Sequence, residues 1–328
     1  MNTGLTGRAV LVTGGTRGIG RAVALAYASE GTQVAITYAS DDAAASETVA
    51  MLEANGSGGA SFYLNLEDGA SIEAAVQGAV DAFGGLDVLV ANAVRWPVDA
   101  WAPFAEADHA DWTRALRANL EGTALTVRAA LPHLARSTAG RIVLISSGVA
   151  RDGRTGATAY STAKGALDGF LASLKWEAGA AGVLVNIVSP GFTVTENNLA
   201  RFSDEVRESV RERTPSGRLS APEDIAEAVL LLGSPANGNI TANTSRSPAG
   251  STDEQERSPR VALHLKHMTP MAPPDRPSLS RRPAWPSPLS SLPSFLRSNE
   301  RVLGDADRAA SSVSSRLVTS PGPRRSSL

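Results

Sequence analysis

A chain of 328 residues, 42% hydrophobic and 20% charged, is long enough to bury a core in one or two domains. A formal net charge of -2 gives no electrostatic argument for nucleic acid or an anionic membrane as partner. The absence of cysteine excludes disulfides, thiol nucleophiles and cysteine-ligated zinc, and no metal is expected. No basic segment followed by an apolar run opens the sequence, and no stretch approaches the roughly 20 apolar residues of a membrane span, so a cytoplasmic protein is expected.

From Arg8 to about Thr241 short apolar runs alternate with longer amphipathic ones, the rhythm of a parallel sheet covered on both faces. Strands are expected at Ala9–Val12, Gln33–Tyr38, Ser61–Leu64, Leu86–Ala91, Arg141–Ser146 and Val183–Ser189, with helices beginning near Gly18, Asp42, Ala70, Asp111, Thr158 and Pro222. This describes an α/β protein of Rossmann type, a doubly wound sheet that binds ligands beyond the carboxyl ends of its strands.

The first of those ends carries the strongest signal. Thr13-Gly14-Gly15-Thr16-Arg17-Gly18-Ile19-Gly20 follows the first strand and opens a helix. Glycines let the backbone turn and approach a pyrophosphate, and the helix N-terminus attracts its charge, so Gly14, Thr16, Arg17, Gly18, Ile19 and Gly20 are expected to hold a dinucleotide. At the tip of the second strand, Tyr38-Ala39-Ser40 places no carboxylate where a ribose 2′-hydroxyl would be read. Arg17 and Ser40 suit a 2′-phosphate, and NADP(H) is expected over NAD(H). Asp41 and Asp42 weigh against this unless they serve as a helix cap and first-turn acid.

Tyr160 and Lys164 stand four residues apart at the start of an expected helix, which puts a phenol and an ammonium on one face. The cation would lower the pKa of the phenol towards working pH. Thirteen residues upstream, Ser147 follows the fifth strand and can polarise a carbonyl; Ser146 competes for that role, but strand alternation turns neighbours to opposite faces. His109 and His133 read as surface residues.

In these features the sequence resembles the short-chain dehydrogenase/reductases, nearest in character to 3-oxoacyl carrier-protein reductases and bacterial polyketide ketoreductases, from Leu5 to about Thr241. The resemblance implies a catalytic set of Asn119, Ser147, Tyr160 and Lys164. Tyr160 would give the proton, Ser147 orient the carbonyl, Lys164 bind the nicotinamide ribose, and Asn119 hold a water in the proton relay. It further implies that Asn65 and Leu66 meet the adenine, and that Asn92 and Ala93 line the adenosine side. Pro190, Gly191, Thr193 and Thr195 would meet the carboxamide side of the nicotinamide. Val94 stands where relatives carry glycine and adds bulk there. The implied substrate is a small-molecule or carrier-bound ketone, its pocket shaped by Thr193 to Pro215 with Val94, Arg95, Trp96, Trp101 and Phe104. No nucleic acid or membrane partner is implied, and the family suggests a homodimer or homotetramer. The alternative is a non-catalytic NADP-binding protein.

After Thr241 the character changes. Twelve of the 19 prolines lie beyond it, mixed with Ser and Arg, and residues 242–328 read as a disordered tail, with a proline-rich ligand for a partner module as the functional alternative. Relatives end in one more strand, which is expected to be missing here. Restoring one G after the Thr241 codon lets compatible codons for Ala242 to Gly250 translate as Gly-Glu-His-Leu-Thr-Val-Ala-Gly-Gly, a family-like terminal strand. The tail is therefore read as an out-of-frame translation, and the altered terminus bears on the implied assembly.

Overall fold

Valine and isoleucine, stiff at χ1 and suited to a pleated surface, fill the runs that become strands. The computed structural model describes residues 2–96 and 102–247; Trp101 and the tail from residue 248 lie outside the described residues. The chain divides into two units, Met1–Ala262 and Leu263–Leu328, and every described residue belongs to the first. In chain order the strands are β1 (Ala9–Val12), β2 (Gln33–Tyr38), β3 (Gly58–Tyr63), β4 (Val88–Ala91), β5 (Arg141–Ile145), β6 (Leu184–Ser189) and β7 (Thr244–Arg246). The helices are α1 (Gly18–Ser29), α2 (Asp42–Ala54), α3 (Gly69–Phe83), α4 (His109–Leu116), α5 (Thr123–Leu134), α6 (Val149–Asp152), α7 (Thr158–Ala180), α8 (Glu196–Arg201), α9 (Asp204–Arg213) and α10 (Pro222–Gly233). A π-helical turn, Arg117–Gly122, joins α4 to α5.

All seven strands pair in parallel in the order β3-β2-β1-β4-β5-β6-β7, the doubly wound Rossmann arrangement. Side-chain alternation splits the core in two. Val10, Val12, Val34, Ile36, Val88 and Val90 pack with Val23 and Tyr27 of α1 and Val229 of α10. Leu11, Ala35, Leu89 and Ala91 turn the other way, onto Val76 of α3, Val127 of α5 and Leu167 of α7. Each such valine, leucine or isoleucine contributes roughly 1.5–3 kcal/mol on full burial. The order reverses between β1 and β4, so the connections leaving them part to opposite faces and open a crevice at their carboxyl ends.

The expectation of a missing last strand is corrected. Thr244–Arg246 pairs with β6, Ile187 against Thr244 and Ser189 against Arg246. The backbone is led there by Asn186, wholly buried, whose amide donates to the Ile240 carbonyl (2.8 Å) and accepts from the Asn243 N–H (3.1 Å). A parallel edge needs backbone groups in register, not apolar side chains, so the all-polar Thr-Ser-Arg still forms a strand. Sheet pairing thus continues beyond the expected boundary at Thr241.

Candidate active site

Where β1 ends, the chain is latched to the end of β4. The Thr13 hydroxyl accepts from the backbone N–H groups of Asn92 (2.9 Å) and Ala93 (3.0 Å), and the Asn92 amide donates to the carbonyls of Thr13 (3.0 Å) and Gly14 (3.1 Å). Two glycines are dictated by space. Gly14 has φ +66°, and a Cβ there would lie 3.0 Å from the Ala93 Cα; a Cβ on Gly20 would fall 2.1 Å from the Gly14 carbonyl oxygen. The turn delivers α1 with no side chain capping its first N–H groups and no acid in its first turn. Those free donors, reinforced by the helix dipole, form an anion cradle that fits a pyrophosphate.

At the β2 tip the two acids that complicated the cofactor reading are engaged locally. Asp41 accepts from the Ala44 N–H (3.0 Å) and caps α2, while Asp42 accepts from the Tyr38 hydroxyl and thereby raises that phenol's pKa. Arg17 and Ser40 line the same recess as Tyr38, Asn65 and Leu66, and Arg17 has no ion-pair partner among the described residues.

The catalytic candidates converge at the other end of the recess. The first turns of α7 bury Tyr160 and Lys164 on one face, 8% and 2% exposed. Burial pushes the Tyr160 phenol up to about 12, and contact with the Ser147 hydroxyl only partly offsets it. This departs from the expectation of a phenol acidified by Lys164. The Lys164 ammonium donates instead to the Ile145 carbonyl (2.8 Å), and burial pushes it down to about 8. Ser146 also lines the cavity, but its hydroxyl is engaged, donating to the Lys164 carbonyl (3.0 Å) and tying β5 to α7.

One cavity of about 560 Å³ collects Ser147, Tyr160, Lys164, Gly14, Thr16, Arg17, Gly18, Ile19, Gly20, Tyr38, Ser40, Asn65, Leu66, Asn92, Ala93, Pro190, Gly191, Thr193 and Thr195. Asn119 stands apart from this lining. It lies in the π-helical turn, wholly buried, with its amide donating to the carbonyls of Arg95 (2.8 Å) and Ala115 (2.9 Å) and accepting from the Arg95 N–H (2.9 Å). Its side chain fixes the segment at Arg95, one residue before the cavity-lining Trp96. Val94 and Arg95 also line the cavity, whereas Phe104 is two-thirds exposed and does not.

Sequence reasoning missed Arg154 and Phe192, which line the cavity, and gave Arg201 and Phe202 only as part of a variable stretch. The signal for Arg154 was available. A residue on the short connection between Ser147 and Tyr160 cannot travel far from either. No group of acids and histidines able to hold a metal occurs among the described residues.

Residues 8–206 match the family model for short chain dehydrogenases. The chain is 37% identical over 241 residues to the 3-oxoacyl-[acyl-carrier-protein] reductase of Aquifex aeolicus, covering 74% of this chain and 96% of that protein. It is 34% identical to the enzyme of the same name from Escherichia coli, covering 73% and 94%. Among solved structures, a short-chain dehydrogenase from Burkholderia cenocepacia in complex with NADP is 32% identical, with a TM-score of 0.69 over 76% of this chain and 99% of that one. A dehydrogenase/reductase from Sinorhizobium meliloti is 34% identical, with a TM-score of 0.70 over 77% and 98%. Fold, glycine turn and these matches agree: the chain belongs to the short-chain dehydrogenase family and is an NAD(P)-dependent oxidoreductase resembling the 3-oxoacyl carrier-protein reductases.

Proposed function

We propose that this protein reduces a ketone to a secondary alcohol with NADPH, Tyr160 acting as proton donor. The observation that carries this reading is the state of the phenol: buried and pushed up to about 12, it keeps its proton throughout the neutral range, as a donor in reduction requires. Ser147, in contact with it, is placed to polarise the carbonyl oxygen on which charge develops. Lys164, down to about 8, is still mainly an ammonium at neutral pH and can turn from Ile145 to a ribose hydroxyl. The N-terminus of α1 would hold the pyrophosphate, and Arg17 with Ser40 the 2′-phosphate, the local engagement of Asp41 and Asp42 reducing their repulsion of it. When bound, the nicotinamide supplies the hydride; the residues of the chain supply proton, orientation and shelter from water.

The names of the relatives favour a 3-oxoacyl skeleton, whether free or carrier-bound. No helix among the described residues is long and apolar enough to cross a membrane. The test follows NADPH absorbance with β-keto esters, decalones and quinones. Turnover is expected, and Tyr160→Phe should lower it by about 10²–10⁴-fold while NADPH still binds. Equal rates in the variant would defeat the assignment. NADPH binding with no turnover of any ketone would favour the non-catalytic alternative.

A further inference from the structure

The substrate end of the cavity is unusual in its charge. Trp96 stacks on the Tyr160 ring (centroids 4.7 Å apart, planes at 21°), and the Arg201 guanidinium lies over the same indole system, 5.3 Å from its centroid. Phe202, the next residue, carries the Arg154 guanidinium 5.2 Å above its ring and meets Phe192 edge-on at 5.3 Å. All five residues line the cavity that holds Tyr160 and Ser147. Two cations on aromatic faces thus share the cavity of the proton donor.

Such contacts are weak at exposed sites and do little against the mutual repulsion of two guanidiniums. That repulsion is present: burial, and then the charge of Arg201, lower the pKa of Arg154. Of the acids on the cavity wall, Asp41 caps α2 and Asp152 pairs with Arg151 (2.7 Å), while Glu196 opens α8 beside Gly18, at the glycine turn. Arg201 has no hydrogen-bond or ion-pair partner among the described residues. An oxyanion between these guanidiniums would remove the repulsion and accept charge-assisted hydrogen bonds from both.

We propose that Arg154 and Arg201 recognise an anionic group carried by the ketone itself, a carboxylate or a phosphate ester a few bonds from the reacting carbonyl. The proposal rests on the reductase reading above and narrows its substrate class. A carrier-bound 3-oxoacyl thioester does not meet this description, because its acyl end is neutral and its nearest phosphate lies at the far end of the pantetheine arm. A free keto acid does.

The experiment compares matched pairs: 3-, 4- and 5-oxo carboxylic acids against their methyl esters, and a phosphorylated hydroxyketone against the unphosphorylated one. The expected result is a kcat/KM at least tenfold higher for the anion of one pair, which also tells carboxylate from phosphate. Arg201→Met and Arg154→Met should each shrink that ratio towards unity, and Arg201→Lys should keep part of it. NADPH titration of each variant reports folding, and the anion-to-neutral ratio does not move with a general loss of structure. Equal turnover of anion and neutral ketone by the unaltered chain, or a ratio unmoved in both methionine variants, overturns the proposal and leaves the reductase reading standing. Failure to reduce any ketone overturns both.

Discussion

Two loops beside the same sheet make opposite demands on the sequence. The turn after β1 must fit backbone against backbone, so its residues are almost prescribed: a Cβ on Gly20 would collide with the Gly14 carbonyl and with the Asn92 amide. The segment leading into β7 works with what it has, using the buried amide of Asn186, the Thr241 hydroxyl and three polar residues to complete an edge. Steric necessity leaves a signature that can be read in one sequence, whereas backbone pairing at an edge leaves almost none.

The strongest attack on this contrast is Gly20→Ala. The added methyl meets the Gly14 carbonyl first, so backbone must move; overpacking of this kind costs about 1–3 kcal/mol, and the pyrophosphate cradle moves with it. NADPH affinity is expected to fall at least tenfold, measured by fluorescence titration, with a lower thermal midpoint. Unaltered affinity would mean that the turn is less constrained than its geometry requires.

How much of the molecule could be read beforehand follows the same division. β1, β2 and the start of α1 coincide with their expected bounds, because strand alternation and a glycine turn repeat a physical rule over several residues. β3 starts three residues earlier than expected, at Gly58 and Gly59, which carry no β signal. The helices α8 and α9 escaped notice, although Ser203 capping a first turn of Asp204 and Glu205, with Arg211 and Arg213 in the last, is a helix signature. In the site, the placement of Ser147, Tyr160 and Lys164 on one cavity was legible from spacing; the direction of the Lys164 ammonium and the resting state of the phenol were not. Both depend on burial from residues distant in sequence, Trp96 among them.

At the other pole, the edge invites improvement. Ser245 pairs with Val188, which belongs to the core under α1 and α10, while Thr244 faces α7 and bonds Asp168 (3.0 Å). The reframed segment puts leucine at the first of these positions and histidine at the second, an apolar residue towards the core and a cation beside the carboxylate. We propose on this ground that the chain beyond Thr241 is out of frame. Replacing Ala242 to Gly250 with Gly-Glu-His-Leu-Thr-Val-Ala-Gly-Gly should stabilise the fold by about 2–3 kcal/mol, most of it from burying the leucine. That corresponds to a thermal midpoint higher by several degrees, on the order of 2–4 °C per kcal/mol for a domain of this size. A fall in the midpoint would show that the polar edge is the one this fold was built with.

The smallest change isolates a single torsion. Ala242 has φ 59°, the one non-glycine residue with positive φ among the described residues, held there by its N–H donating to the Val185 carbonyl (2.8 Å). The left-handed region costs an L residue roughly 1–2 kcal/mol that glycine avoids. Against this, glycine adds about 0.4–1 kcal/mol of unfolded-chain entropy. Relief of the torsion outweighs that entropy, so Ala242→Gly should raise stability by about 0.5–1 kcal/mol in urea titration, with the slope of the transition unchanged. The reframed sequence begins with glycine at this very position, so the torsion and the codons point to the same residue by independent routes. A variant no more stable than the parent would separate them, since it would show that the backbone after Thr241 does not need the glycine that the alternative frame provides.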